Sequence, residues 1–203
     1  EPTPADPNAA VTSAEGQAVL PTASGDAVAS NGGATNEAAA EPIADAPRIT
    51  IETDRLKGSI SLLGGRIDAL ALKDYRVSLD AGAPIVDLLA PVGQSNPYYA
   101  LYGWAPGAGL SFEEVPGPNT IWSADGSRAL SVDSPVTLTW DNGGGLEFTR
   151  TIAVDKDFMF SVTQSVENVG AGTVSLAPYG ILARHGEPQD LKNFFILHEG
   201  LVA

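Results

Sequence analysis

The side chains best suited to proton transfer in this sequence are its two histidines and the carboxylates near them. His185 lies in the stretch Arg184–Pro188, where an extended chain would place His185 and Glu187 on one face as a possible acid and base pair. The glycine and proline of that stretch favour a loop instead. His198 ends an apolar segment without a convergent partner motif. The sequence therefore assigns no catalytic residue.

The carboxylates form no recognisable metal or cofactor motif. Glu113 and Glu114 are adjacent, so on a strand they face opposite sides. Asp155 and Asp157 flank a short turn, where solvated carboxylates are common. The chain has no cysteine, which excludes disulfides, thiolate zinc sites and iron–sulfur clusters. We therefore expect no metal site and no cofactor.

A cluster of aromatic residues is the most concentrated feature of the sequence. On a strand, Tyr98, Tyr102 and Trp104 would share one face, with Tyr99 on the other. Such a face is suited to sugars, peptides or other extended ligands, because the rings offer both apolar area and hydrogen bonds. Burial in a sheet core is the favoured alternative, since it explains most aromatic residues in strands. Binding by these three residues stays a hypothesis.

Charge and composition divide the chain into two parts. Its 203 residues carry a formal charge of −14, without a basic cluster, which argues against nucleic-acid binding. Residues 1–47 contain seven carboxylates, no Lys or Arg and no aromatic residue. Prolines and glycines interrupt this Ala-rich segment, and few large apolar side chains could offset the entropy of ordering it. We predict a disordered acidic linker over residues 1–47.

Residues 48–203 are predicted to form one all-β domain. Apolar and polar side chains alternate in Val136–Trp140 and again in Leu146–Val154, separated by Asp141–Gly145, a typical hairpin turn. A second hairpin is predicted at Ala124–Ser127, joining Thr120–Ser123 to Arg128–Val132. Another late strand is expected at 193–198. Short strands without intervening helices are typical of antiparallel sheets packed as a sandwich.

Several segments of this domain resemble, in the same order, the large periplasmic domain of the YidC membrane-protein insertases, most closely their alphaproteobacterial branch. The segments that carry the resemblance are Arg48–Leu56, Gly58–Ile60, Gly64–Asp68, Asn96–Trp104, Leu146–Ala153, Phe158–Gly170 and Asn193–Gly200. Each motif alone is weak, and their order along the chain gives the resemblance its specificity.

The resemblance implies an antiparallel β-supersandwich like that of galactose mutarotases, here incomplete at its C-terminus. It implies a non-catalytic domain on the periplasmic side of the bacterial inner membrane. The full multi-pass protein would assist insertion, folding and assembly of inner-membrane proteins. Expected partners are Sec translocon components and nascent membrane proteins, and membrane association would occur only through segments missing from this chain.

Two other functions are compatible with the same fold. One is a sugar-active enzyme of the aldose-epimerase kind, using His185 or His198 with a glutamate. The other is a carbohydrate- or peptide-binding module that uses Tyr98, Tyr102 and Trp104. Fold alone is a poor guide between such functions, because one fold supports many activities.

Overall fold

A computed structural model describes residues 46–126 and 129–186. The described chain forms ten strands and one short 3₁₀ helix, Phe112–Glu114. The strands are β1 (Arg48–Glu52), β2 (Leu56–Ser61), β3 (Arg66–Arg76), β4 (Ile85–Leu89), β5 (Tyr98–Pro106), β6 (Ser123–Ala124), β7 (Val136–Asp141), β8 (Leu146–Val154), β9 (Phe160–Asn168) and β10 (Leu176–Arg184).

The strands form two antiparallel sheets. The six-stranded sheet has the order β1-β2-β3-β5-β10, and β4 pairs with β3 off this path. The four-stranded sheet has the sequential order β6-β7-β8-β9. Every pairing between named strands is antiparallel. The predicted all-β fold with antiparallel sheets is confirmed.

The alternation of β8 shows why this sequence forms a half-buried strand. Every second residue from Leu146 to Val154 is buried, and the residues between them are exposed or half-buried. In the preceding turn, the Asn142 side-chain oxygen accepts hydrogen bonds from the backbone N–H groups of Gly144 and Leu146, at 2.7 and 3.0 Å. Gly143 and Gly145 adopt φ values of 71° and 98°, a region that favours glycine. The predicted hairpin is therefore confirmed in detail.

A single large core lies between the two sheets. It contains residues from both of them, among them Ile51, Ile60, Leu138, Phe148 and Ile152, all of which are fully buried. This interdigitation of inner faces is how two sheets stabilise each other. A second, smaller cluster of Tyr99, Leu101 and Ala183 lies where β5 pairs with β10.

The prediction of a hairpin at Ala124–Ser127 is wrong, because the chain before the turn does not pair with the described residues that directly follow it. Ser123 and Ala124 pair with β7 instead. Leu130 forms a parallel bridge with Ile51 of the other sheet, and its backbone N–H donates to the Thr50 carbonyl at 2.8 Å. Residues 129–131 therefore cover the edge of β1, and the apolar side chain of Leu130 enters the core.

Three expectations concern residues outside the described ranges: residues 1–45 of the linker predicted over 1–47, the strand at 193–198, and the positions of Glu187 and His198. Within the described ranges, no helix combines the length and the hydropathy that crossing a bilayer requires.

Candidate binding surface and its buried surroundings

Strand β5 carries the three aromatic residues that the sequence selects as a binding face. Its even-numbered positions point toward the main core, where Ala100, Tyr102 and Trp104 pack. The Trp104 side chain is only 8% exposed, and its ring centroid lies 6.2 Å from that of Phe148 in the opposite sheet. Trp104 therefore helps to join the two sheets.

Tyr102 and Tyr98 are half-buried. Tyr102 lies opposite Gly180 of β10, and a Cβ atom at Gly180 would be 3.1 Å from the Tyr102 ring. The Arg184 guanidinium lies 5.7 Å from the centroid of the Tyr98 ring. Tyr98 and Tyr102 thus retain accessible area at the β5–β10 pair, and Trp104 contributes little surface to it.

His185 lies directly after β10 and contacts an aromatic residue. Its Nε2 atom is 3.3 Å from the Tyr99 hydroxyl, and the two rings stack with centroids 5.8 Å apart. The His185 backbone N–H donates to the Pro97 carbonyl at 2.9 Å. Burial raises the pKa of the Tyr99 hydroxyl, and the charge of Arg66 opposes that shift. These contacts anchor the end of β10 on β5.

Two charged residues at the start of β3 are buried beside this contact. Asp68 is fully buried and forms an ion pair with Arg48 of β1. Arg66 is 4% exposed and donates from Nη2 to the Pro118 carbonyl at 2.8 Å. Burial lowers the pKa of Arg66, since its charge is separated from water. Arg48 and Arg66 tie β1 and β3 to neighbouring segments.

Arg150 of β8 is a fully buried cation between the two sheets. It donates to the carbonyls of Gly64, Gly65 and Tyr102 at 3.2, 3.1 and 2.6 Å, and to the Gln164 side-chain oxygen at 3.3 Å. Its guanidinium carbon also lies 4.4 Å from the Trp122 ring centroid. Three of these acceptors belong to the six-stranded sheet or its turn, so one side chain of the four-stranded sheet bonds across the core.

The electrostatics of Arg150 follow from this environment. Burial lowers its pKa to about 10, which still leaves the guanidinium charged at neutral pH. Gly65 makes room for it, because a Cβ atom there would lie 2.4 Å from Arg150 Nη1. The φ of Gly65, 61°, also favours glycine. Backbone dipoles rather than a carboxylate therefore solvate this cation.

The sequence reasoning did not predict that Arg150 is buried, although its position in the alternation of β8 indicates it. It occupies the inward position between Phe148 and Ile152, where the alternation otherwise places apolar side chains. A charged residue at an inward position predicts a buried, hydrogen-bonded group, because an unpaired buried charge is costly.

The described residues contain no group of three or more metal-ligating side chains placed to hold an ion. A cavity of about 510 Å³ lies beside β7, and Asp125, Asp133 and Thr137 are among its lining residues. Neither the cavity nor the His185 contact brings together a nucleophile, a base and an oxyanion donor among these residues. The arrangement of β5, β10 and Arg150 is suited to holding the sheets in place and to presenting a surface.

Comparison with known proteins identifies the family. The family described as the YidC periplasmic domain matches residues 48–203. Proteins named membrane protein insertase YidC from Ruegeria pomeroyi, Roseobacter denitrificans and Dinoroseobacter shibae are 61, 62 and 58% identical over 87, 84 and 84% of this chain. The matched regions cover 30, 28 and 28% of those relatives, so the chain spans less than a third of their length. With these matches and its two antiparallel sheets, the chain belongs to the YidC periplasmic domain family.

Proposed function

We propose that this chain is a non-catalytic periplasmic domain of an inner-membrane insertase, which supports the insertion, folding and assembly of membrane proteins by binding partners. The observation that carries this proposal is the family match over residues 48–203, to relatives named as insertases. The contacts of His185 agree with it, because its ring packs on Tyr99. Of the two candidate histidines, the one within the described residues therefore packs on a neighbouring ring, which supports a structural role for it.

The partners proposed for the domain are Sec translocon components and nascent membrane proteins. The relatives' name supports the second class, since an insertase handles membrane proteins. For the first class, the support is the resemblance of the sequence alone. A domain that binds such partners needs an exposed surface and a rigid frame, and the two packed sheets provide the frame.

Full-length insertase carrying this domain tests the proposal. Deleting residues 48–203 in a strain that depends on the protein should slow insertion of a membrane-protein substrate. The substitutions His185→Ala and Tyr99→Phe, made in the intact protein, should leave insertion nearly unchanged. Loss of insertion with His185→Ala, in a protein that accumulates normally, would instead favour acid–base chemistry.

Ligand binding at Tyr98 and Tyr102 is a second, narrower proposal. Both rings are half-buried on the β5–β10 pair, beside the exposed Arg184. Extended peptides or glycans should then change the tryptophan emission of the domain, because Trp104 lies on the same strand. A flat titration with both ligand classes would contradict binding at this surface.

A further inference from the structure

Three turns meet at one end of the sandwich. They join β1 to β2, β3 to β4, and β8 to β9. The Arg55 guanidinium lies 3.9 Å from the Phe158 ring centroid, and the Tyr75 ring lies 6.5 Å from the same ring. The backbone N–H of Lys73 donates to the Arg55 carbonyl at 2.8 Å. These contacts hold the β1–β2 turn, the end of β3 and the β8–β9 turn together.

This end exposes four large apolar side chains, which we call the apolar tip: Tyr75, Val77, Leu79 and Met159. Their exposed fractions are 51, 62, 107 and 66%. Isolated apolar residues are common on protein surfaces, but a group on adjoining turns is typical of an interaction site. Leu79 lies in the loop that follows β3 and is as exposed as in an extended peptide.

The turn of the apolar tip that carries Met159 is held in a defined shape. Phe158 has a φ of 71°, the one positive value among non-glycine residues of the described chain. That conformation is strained for a residue with a side chain of this kind. The Asp155 carboxylate accepts hydrogen bonds from the backbone N–H groups of Asp157 and Met159, at 2.8 and 2.9 Å. Arg55 and Tyr75 pack on the Phe158 ring, and Met159 next to it points outward.

Charged residues of both signs surround the apolar tip. Five of the nine Lys and Arg residues in the described chain lie on these turns or the adjoining strand ends: Arg55, Lys57, Lys73, Arg76 and Lys156. Ion pairs join Lys73 to Glu52, Arg55 to Asp74, and Lys156 to Asp157. The five basic residues include all three lysines of the described chain. Long lysine side chains can reach outward past apolar neighbours.

We propose that the apolar tip docks on the surface of a phospholipid bilayer, with Val77 and Leu79 entering the headgroup region. This inference rests on the proposed function, which keeps the domain beside a membrane. Val77 is mostly exposed and Leu79 fully exposed, so both side chains can enter a soft interface without a preformed pocket in the partner. The mixed charges around them complement the phosphate and ammonium groups of zwitterionic lipids, and interfacial binding scales with the apolar area inserted.

Vesicle binding of the 203-residue chain tests the proposal. The chain should float with phosphatidylcholine and phosphatidylethanolamine vesicles, and the double variant Val77→Ser, Leu79→Ser should bind about tenfold more weakly. The matched control is Val169→Ser, at the opposite end of β9, where Val169 is 71% exposed. Circular dichroism and the thermal midpoint of each variant establish that its fold is intact.

A second measurement locates the contact. A Leu79→Trp variant should show a blue-shifted emission on adding vesicles, and a Val169→Trp variant should not. The proposal is overturned if the unchanged chain fails to bind vesicles, or if Val169→Ser weakens binding as much as the double variant. It is also overturned if binding requires anionic lipid and ignores both substitutions.

The vesicle-binding experiment and the deletion experiment can fail independently of each other. If deletion of the domain leaves insertion intact while Leu79 still enters vesicles, the proposed function fails and the lipid contact stands. If deletion slows insertion but the Leu79→Trp variant reports no vesicle contact, the proposed function stands and the lipid contact fails. The apolar tip is then available to a protein partner.

Discussion

Arg150 is the side chain on which the two sheets most directly depend. It joins β8 to the Gly64–Gly65 turn through two buried carbonyls, and to β5 through the part-buried carbonyl of Tyr102. Removing the guanidinium leaves these acceptors without donors, and each buried unsatisfied group costs about 1–3 kcal/mol. The residue is therefore a structural cation, although a buried charge is often taken as a sign of function.

Replacement of Arg150 by methionine should lower the free energy of unfolding by about 3 kcal/mol or more, because several carbonyl acceptors lose their donor together. Urea unfolding monitored by tryptophan emission measures this change. Arg184→Met is the matched control, since Arg184 is exposed, and it should change stability by less than about 0.5 kcal/mol. Equal effects of the two substitutions would contradict the role given to Arg150.

Tyr179 should make the protein less stable in alkaline solution. Burial raises the pKa of its hydroxyl, and the charge of Arg150 opposes that shift. The folded chain then keeps a proton that the unfolded chain releases near pH 10. The contribution of the protonated Tyr179 hydroxyl to the free energy of unfolding is therefore fully present below about pH 10, and it is lost as the pH rises through the folded pKa.

The lowered pKa of Arg150, about 10, acts in the opposite direction, because the unfolded chain keeps that proton to higher pH. The contribution of Tyr179 is therefore isolated by substitution. Tyr179→Phe should flatten the loss of stability above about pH 10, relative to the unchanged chain and to the exposed control Tyr75→Phe. An unchanged slope in Tyr179→Phe would contradict the prediction.

At the scale of single elements, the β2–β3 pair depends on Gly58. A Cβ atom at this position would lie 2.0 Å from the Ala69 carbonyl oxygen of the neighbouring strand. The register of the two strands also shifts between Ser59 and Ile60, next to this close approach. Any side chain at position 58 must push the strands apart or break their hydrogen bonds.

Gly58→Ala should therefore lower the thermal midpoint and cost about 2 kcal/mol or more of stability. Gly117→Ala is the control, because its Cβ would have no atom within 4 Å. Its effect on stability should stay within about 0.5 kcal/mol. A tolerated alanine at position 58 would show that β2 and β3 lie farther apart than described.

The elements that sequence alone predicted are those whose periodicity is local. Val136–Trp140 and Leu146–Val154 alternate strictly, and the asparagine and glycines between them require a hairpin. Strand β4 was missed because Ile85–Leu89 has no strict alternation and follows a proline. The bridge between Leu130 and Ile51 depends on how the two sheets pack, which no short segment encodes.

The binding surface was predicted only in part, for a related reason. The pattern of β5 assigned faces to its aromatic residues, but it could not reveal that Phe148 of another sheet covers Trp104. Exposure is decided by distant parts of the chain. The apolar tip is similar, since Tyr75 and Phe158 are far apart in sequence and meet only after both sheets have formed.

At the scale of the whole molecule, two antiparallel sheets share one core, and turns at one end expose apolar side chains. A rigid sandwich of this kind can present a constant surface to partners near a membrane. The family match places the chain among YidC periplasmic domains, and the relatives are more than three times longer than the matched region. The proposed role is thus that of an accessory domain within a larger protein.

The most direct test of that role is site-specific photo-cross-linking in the full-length insertase. A photoreactive residue is introduced at Tyr98 or Tyr102 on the β5–β10 pair, or at Val169 as an exposed comparison position. We expect adducts with Sec translocon components or nascent membrane proteins from Tyr98 or Tyr102 and none from Val169. The nascent-chain adducts should disappear when insertion substrates are not synthesised. An absence of protein adducts from both Tyr98 and Tyr102, in cells where insertion proceeds, would contradict the proposed role.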